Sequence, residues 1–157
     1  MEIVLITIGK TKTDYLVAGT GEYLKRLKNY IPYQILELPD IKGAKSLTET
    51  AQKQKEGELI LSRLTASDFV VLLDEKGREY TSMEFASWME KQMASGKKRV
   101  VFAVGGPYGF SPDVYARGDA KLSLSKMTFN HEMVRLFFTE QVYRAMTILR
   151  GEPYHHE

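Results

Sequence analysis

The chain has 157 residues, the usual size of one domain, and no cysteine, which excludes disulfides, thiolate metal sites and thiol nucleophiles. Its 22 basic and 20 acidic residues leave a net charge of +2, far milder than a dedicated phosphate-binding module carries. Three histidines without an HExxH spacing argue against a metal. No run approaches the ~18 apolar residues of a membrane span, and MEIVLITIGK lacks the basic lead-in of a signal peptide, so a cytoplasmic protein is expected.

Glu2 to Ile8 is a continuous β-branched apolar run ending at Gly9, the pattern of a strand covered on both faces. Asp14 is placed to cap a helix reaching about Lys28, with Gly19 and Gly21 weakening its early turns. Tyr33 to Leu38 alternates and stops at Pro39, a second strand, and a polar loop from Asp40 to Ser46 leads into a helix over Leu47 to Leu64. Asp68 to Leu73 is a third, wholly apolar strand, followed by a charged loop, Asp74 to Tyr80. Thr81 and Glu84 have capping-box spacing before a helix carrying Phe85, Trp88 and Met89. Val100 to Val104 is the fourth strand. The run GGPYGFSP follows, with Ser111 and Pro112 opening a short helix to about Ala116. A fifth strand is expected over Leu122 to Ser125. Strands alternating with helices predict one α/β domain over residues 1–157, built on a five-stranded, mainly parallel sheet with helices on both faces.

The last helix, expected from about His131 to Leu149 with Asn130 before it and Gly151 after it, is apolar around more than half its circumference. A helix with one wet side needs a stripe of only about 100°. The excess must be buried against the rest of the fold or against another chain: one face on the sheet and the other in a homodimer is the expectation, a central helix in a monomer the alternative.

Parallel α/β sheets bind ligands beyond the carboxyl ends of their strands, which singles out Leu73-Asp74, Gly105 to Gly109, and Ser125 to Phe129. Gly9-Lys10-Thr11 imitates the end of a P-loop, but the glycine needed five residues earlier is Val4, so no phosphate cradle is expected. GGPYG is not a dinucleotide fingerprint. Its paired glycines suit either a tight turn or a ligand held against bare backbone.

Taken together, VLITIGK, GEYLKRL, VVLLDEKG with its T-S-x-E-x-A continuation, GGPYGFSPDV and LSLSKMTFNHEMVRLFFTEQVYRAMTILRGEPYH resemble the RlmH-type members of the SPOUT superfamily, the trefoil-knot RNA methyltransferases, over the full length. The resemblance implies an S-adenosylmethionine-dependent methyltransferase with a deep C-terminal knot. It implies a homodimer whose active sites are each completed by the partner, acting on N3 of a pseudouridine in large-subunit (23S) ribosomal RNA of the assembled ribosome, with no metal and no membrane. It maps the cofactor onto Leu73, Gly105 and Leu124, Ser125, Lys126, Met127, Thr128 and Phe129, with Gly106 adjacent. Arg144, Tyr154 and His155 are the candidate catalytic residues, with His131 as the alternative. Two other readings share the same strands and glycine turn: a flavodoxin-like nucleotide-binding module without catalysis, and a ribosome-associated RNA-binding protein.

Overall fold

The computed structural model describes residues 1–156. Its elements in chain order are β1 (Glu2–Ile8), α1 (Asp14–Leu27), β2 (Tyr33–Leu38), a single 3-10 turn (Ala44–Ser46), α2 (Glu49–Ser62), β3 (Phe69–Glu79), α3 (Ser82–Ala94), β4 (Arg99–Val104), α4 (Pro112–Arg117), β5 (Ala120–Ser123) and α5 (Met133–Leu149). The strands lie in the order β2-β1-β4-β3-β5, and every neighbouring pair is parallel.

Side chains alternate across the pleat, so each central strand feeds two cores. Ile3, Leu5, Val71, Val100 and Phe102 face α1, α3 and α5, whereas Val4, Ile6, Val70, Leu72 and Val101 face α2 and α4. This is why β1, β3 and β4 read as unbroken apolar runs. Phe102 and Phe138 meet with ring centroids 4.6 Å apart, both fully buried, and tie α5 to the middle of the sheet. The excess apolar surface of α5 is taken up largely by α1 and α3 on its flanks. Gly19 makes the α1 approach possible, since a Cβ there would stand 3.2 Å from Leu136 Cδ2. Phe137 is left 45% exposed.

Four expectations shift. The charged loop after Leu73 is a bulge inside β3. Leu122 of β5 pairs first with Leu73 and again with Arg78, so residues 74–77 are pushed out of the ladder, and Gly77 then passes so close to Leu122 that a Cβ would meet its N at 2.7 Å. The fifth strand is Ala120–Ser123 rather than 122–125, because it pairs with β3 only to Ser123, whose hydroxyl turns to donate to the Ser125 carbonyl at 2.9 Å. Asp14 falls in the first turn of α1 and does not cap it. The N-cap is Thr13, without a side-chain bond, and the Lys12 and Thr13 N–H groups donate instead to Glu132 Oε1 at 2.7 and 3.0 Å. α5 starts at Met133, and Asn130 Oδ1 accepts from the N–H of Glu132 and Met133 ahead of it. The Thr81–Glu84 capping box and the Ser111 cap form as the sequence indicates.

Candidate active site

β4, β3 and β5 are consecutive in the sheet and parallel, so the carboxyl ends of β4 and β5 open on either side of the β3 bulge that follows Leu73. Between them lies a cleft of about 690 Å³. Its lining includes Leu73, Gly105, Gly106, Leu124, Ser125, Met127, Thr128 and Phe129, together with His131. Lys126 is outside the lining: its side chain is 85% exposed and its Nζ lies 3.8 Å from Glu79 Oε1. A second cleft of about 830 Å³ runs between α1 and the edge strand β2, past Thr20, Leu24, Tyr33 and Ile35, and shares no residue with the first. It is larger and includes one glycine, Gly21 on α1, but lacks the clustered glycines of the 105–109 turn, so the strand-end cleft is the better ligand site.

The glycine turn is built for close approach. Gly109 has φ +84°, its N–H donates to the Gly106 carbonyl at 3.1 Å, and a Cβ on Gly105 would sit 3.1 Å from Gly109 C. A Cβ on Gly106 would collide with the Glu56 carboxyl on α2. Opposite, the 124–132 segment is held by its own side chains. Met127 N–H donates to Ser125 Oγ at 3.0 Å, and Thr128 Oγ1 donates to Glu75 Oε2 at 3.3 Å. Met127 is left 79% exposed at the cleft.

The β3 bulge adds Asp74 and the short helix adds Tyr115, whose hydroxyl donates to Asp74 Oδ2 at 2.6 Å. Burial works against the Asp74 carboxylate, but the Tyr115 hydroxyl, the Lys76 N–H, and the charges of Lys121 and Lys76 hold its pKa below the usual value. Burial and that same carboxylate push the Tyr115 phenol up to about 12, so it is a donor at neutral pH. Composition gave no hint of this pair. The signal lay in SPDVY following the glycine turn, which puts Tyr115 one helical turn beyond the Ser111 cap.

Arg144, Tyr154 and His155 come together, but elsewhere. Glu140 Oε1 accepts from Arg144 Nη2 at 2.6 Å and from the Tyr154 hydroxyl at 2.9 Å, and Arg144 Nη1 donates to His155 Nδ1 at 3.0 Å. Arginine has only donors, so a neutral His155 carries its proton on Nε2. The Arg144 guanidinium lies over the Tyr154 ring at 4.8 Å, and the Tyr154 hydroxyl also pairs with that of Tyr23 at 3.1 Å. Burial, with the bonds to Tyr23 and Glu140, raises the Tyr154 pKa strongly. None of the three lines the strand-end cleft of its own chain, whereas His131 does.

Arg135, nine residues before Arg144 on α5, is a structural link. It is 1% exposed and donates to the carbonyls of Ile8 and Gly9, both at 2.9 Å, to Thr11 Oγ1 and Glu37 Oε2, both at 3.0 Å, and to the His131 carbonyl at 3.2 Å. Among the described residues, no group of three or more His, Asp or Glu side chains is arranged to hold a metal.

The family model described as "Predicted SPOUT methyltransferase" matches residues 1–155. The chain is 59% identical over 157 residues to a protein of Parabacteroides distasonis named ribosomal RNA large subunit methyltransferase H, with all of both chains covered. Proteins of the same name from Christiangramia forsetii and Porphyromonas gingivalis are 56% identical over 156 residues (99% of each chain) and 54% identical over 157 residues (100% of each). With a family match over nearly the whole length and an all-parallel α/β sheet, the chain belongs to the SPOUT methyltransferase family.

Proposed function

We propose that this chain is an S-adenosylmethionine-dependent methyltransferase that modifies N3 of a pseudouridine in the large-subunit ribosomal RNA of the assembled ribosome, and that it works in the cytoplasm as a single-domain homodimer with the knotted C-terminal third typical of the family it resembles. The observation that carries the reading is the cleft of about 690 Å³ at the ends of β4 and β5 and the β3 bulge, which Gly105 and Gly106 line with backbone alone. Ligand pockets for nucleoside-sized molecules are of this size, roughly 300–1,000 Å³, with apolar walls and a few polar groups. The names of the relatives supply the substrate class.

Leu73, Gly105, Gly106, Leu124, Ser125, Met127, Thr128 and Phe129 would hold the cofactor, with Lys126 in the same run. When bound, S-adenosylmethionine supplies a methyl group activated by a sulfonium. The chain's task is to align the nucleophile with that carbon and to exclude water. The N3–H of a pseudouridine is an imide, a poor nucleophile until a group within hydrogen-bond reach accepts its proton. Negative charge then gathers on the flanking carbonyls, where a cation or N–H donor stabilises it.

Arg144, Tyr154 and His155 are our candidates for these tasks, with Arg144 on a phosphate or base carbonyl and Tyr154 or His155 on the base. They stand outside their own chain's cleft, so this assignment requires a second copy to bring them to it. His131, which lines the cleft, is the alternative proton acceptor. The near-neutral charge points to shape recognition over an extended ribosomal surface, so a bare RNA hairpin is expected to be a poor substrate.

The test is transfer of tritiated methyl from the donor to ribosomes of a strain lacking the gene, followed by mapping of the labelled nucleotide. Label at one pseudouridine of the large-subunit RNA is the expected result. No transfer, or label spread over other nucleotides, contradicts the reading.

A further inference from the structure

The Glu56 carboxyl has no part in that account, yet it is the most anomalous group near the cleft. The residue is 3% exposed, and among the described residues its Oε1 has no hydrogen-bond partner and its Oε2 accepts only from Gln52 Nε2, at 3.3 Å. Burial of an unpaired carboxylate is strongly unfavourable and favours the protonated form. Burial raises the pKa of Glu56, the Gln52 amide opposes, and Asp40 adds to the rise. The carboxyl also lies directly against Gly106, close enough to forbid any side chain there. The next residue of α2, Gly57, packs on Ser111 so tightly that a Cβ would collide with the Ser111 hydroxyl. One turn of α2 therefore braces the 105–111 segment at both ends.

We propose that protonated Glu56 is a positioning residue for the Gly105–Gly106 turn, so that cofactor binding is coupled to the protonation of a carboxyl that does not line the cleft. This inference rests on the reading of the cleft as the cofactor site. Among the described residues, the groups that act on Glu56 bring no countercharge. Asp40, from the connection between β2 and α2, is itself acidic, and Gln52 on its own helix is neutral. The glycine turn offers backbone, and on α4 Asp113 accepts from Gln54. A neutral carboxyl tolerates contact with the Gly106 backbone. An ionised one presses a charge against a turn that already uses the Gly106 carbonyl to accept from Gly109.

The experiment is calorimetric titration of the full chain with S-adenosylhomocysteine between about pH 5.5 and 8.5, in two buffers of different ionisation heat, for wild type, Glu56→Gln and Glu56→Ala. The wild type should lose up to about tenfold in affinity per pH unit as Glu56 ionises, and should take up protons on binding. Glu56→Gln, permanently neutral and of the same shape, should lose that slope and that uptake while keeping the acid-limit affinity. The amine of the probe titrates equally in both proteins, so the difference between them reports Glu56. Glu56→Ala should bind more weakly at every pH; if it does not fold, Glu56→Gln decides alone. Equal slopes and equal proton uptake in wild type and Glu56→Gln would overturn the proposal with the cofactor site intact. Absence of binding by the wild type at every pH would instead remove the cofactor reading, and the inference with it.

Discussion

Arg135 Nη1 donates to Glu37 Oε2 at 3.0 Å from a guanidinium that is 1% exposed, joining the first turn of α5 to the end of β2. The same side chain closes over the carbonyls of Ile8 and Gly9, so the end of β1 and the start of α5 share one set of donors. Its burial lowers the arginine's pKa, and the charges of Glu37, Glu132 and Asp40 oppose that. Lysine offers three donors from one point and cannot reproduce this planar fork.

Arg135→Ala and Arg135→Lys are therefore expected to destabilise the protein, the alanine variant by about 3–5 kcal/mol, the usual consequence of breaking a buried ion pair. Urea unfolding measures it. A loss below about 1 kcal/mol in the alanine variant would place the link among surface-like ion pairs.

Gly106→Ala should fold yet bind cofactor at least about tenfold more weakly, because the added methyl meets the Glu56 carboxyl and displaces the turn. Combined with Glu56→Ala, the same substitution should recover part of the affinity, since residues in contact are energetically coupled. Strictly additive losses in binding titrations would show that the two groups do not touch in solution.

Stability should also depend on Glu56 through pH. Its folded pKa lies above the unfolded value, so the folded state holds the proton more tightly. The wild type then loses stability as pH rises through the unfolded and then the folded pKa, and the loss persists above both. Glu56→Gln should match the wild type in acid and melt at a higher temperature at neutral pH, as thermal unfolding of the ligand-free protein can show. A neutral-pH melting point equal to or below that of the wild type is the opposite outcome.

Phe138→Ala removes the ring that meets Phe102 at 4.6 Å in the middle of the sheet, with both side chains fully buried. A loss of about 3–5 kcal/mol is expected from the cavity it leaves. Denaturant titration checks it, and a loss under about 1 kcal/mol would mean that the helix repacks freely.

Arg144→Ala, Tyr154→Phe and His155→Ala bear on catalysis. Each should lower turnover at saturating cofactor by about ten- to a thousandfold if it touches the base or its charge. Wild-type turnover in all three, measured on ribosomes, would move the chemistry to His131 and the cleft's own walls.

Much of the architecture was legible because β1, β4 and the first five residues of β3 are buried on both faces, and an unbroken apolar run is what that burial demands. Gly19 was readable only as a weak helix residue, because its purpose, room for Leu136, lies 117 positions away in the chain. The β3 bulge was hidden for a similar reason: DEKG has loop composition, and only the return of β5 to pair beyond it makes residues 74–77 a protrusion. Among the candidate site residues, Leu73 and Gly105 were marked because each ends an apolar run, a local property of the sequence. Glu56 sat in a run of lysines, glutamines and glutamates that reads as solvated, and its contact with Gly106 exists only once α2 packs.

The account turns on a ligand lodging at the ends of β4 and β5 and the bulge of β3. Its most direct test is the amide NMR spectrum of the protein titrated with S-adenosylhomocysteine. Shifts concentrated at Leu73, Gly105, Gly106 and Leu124 to Phe129 are the predicted result. Shifts confined to Thr20, Leu24, Tyr33 and Ile35 in the cleft beside β2, or no shifts at all, would contradict it.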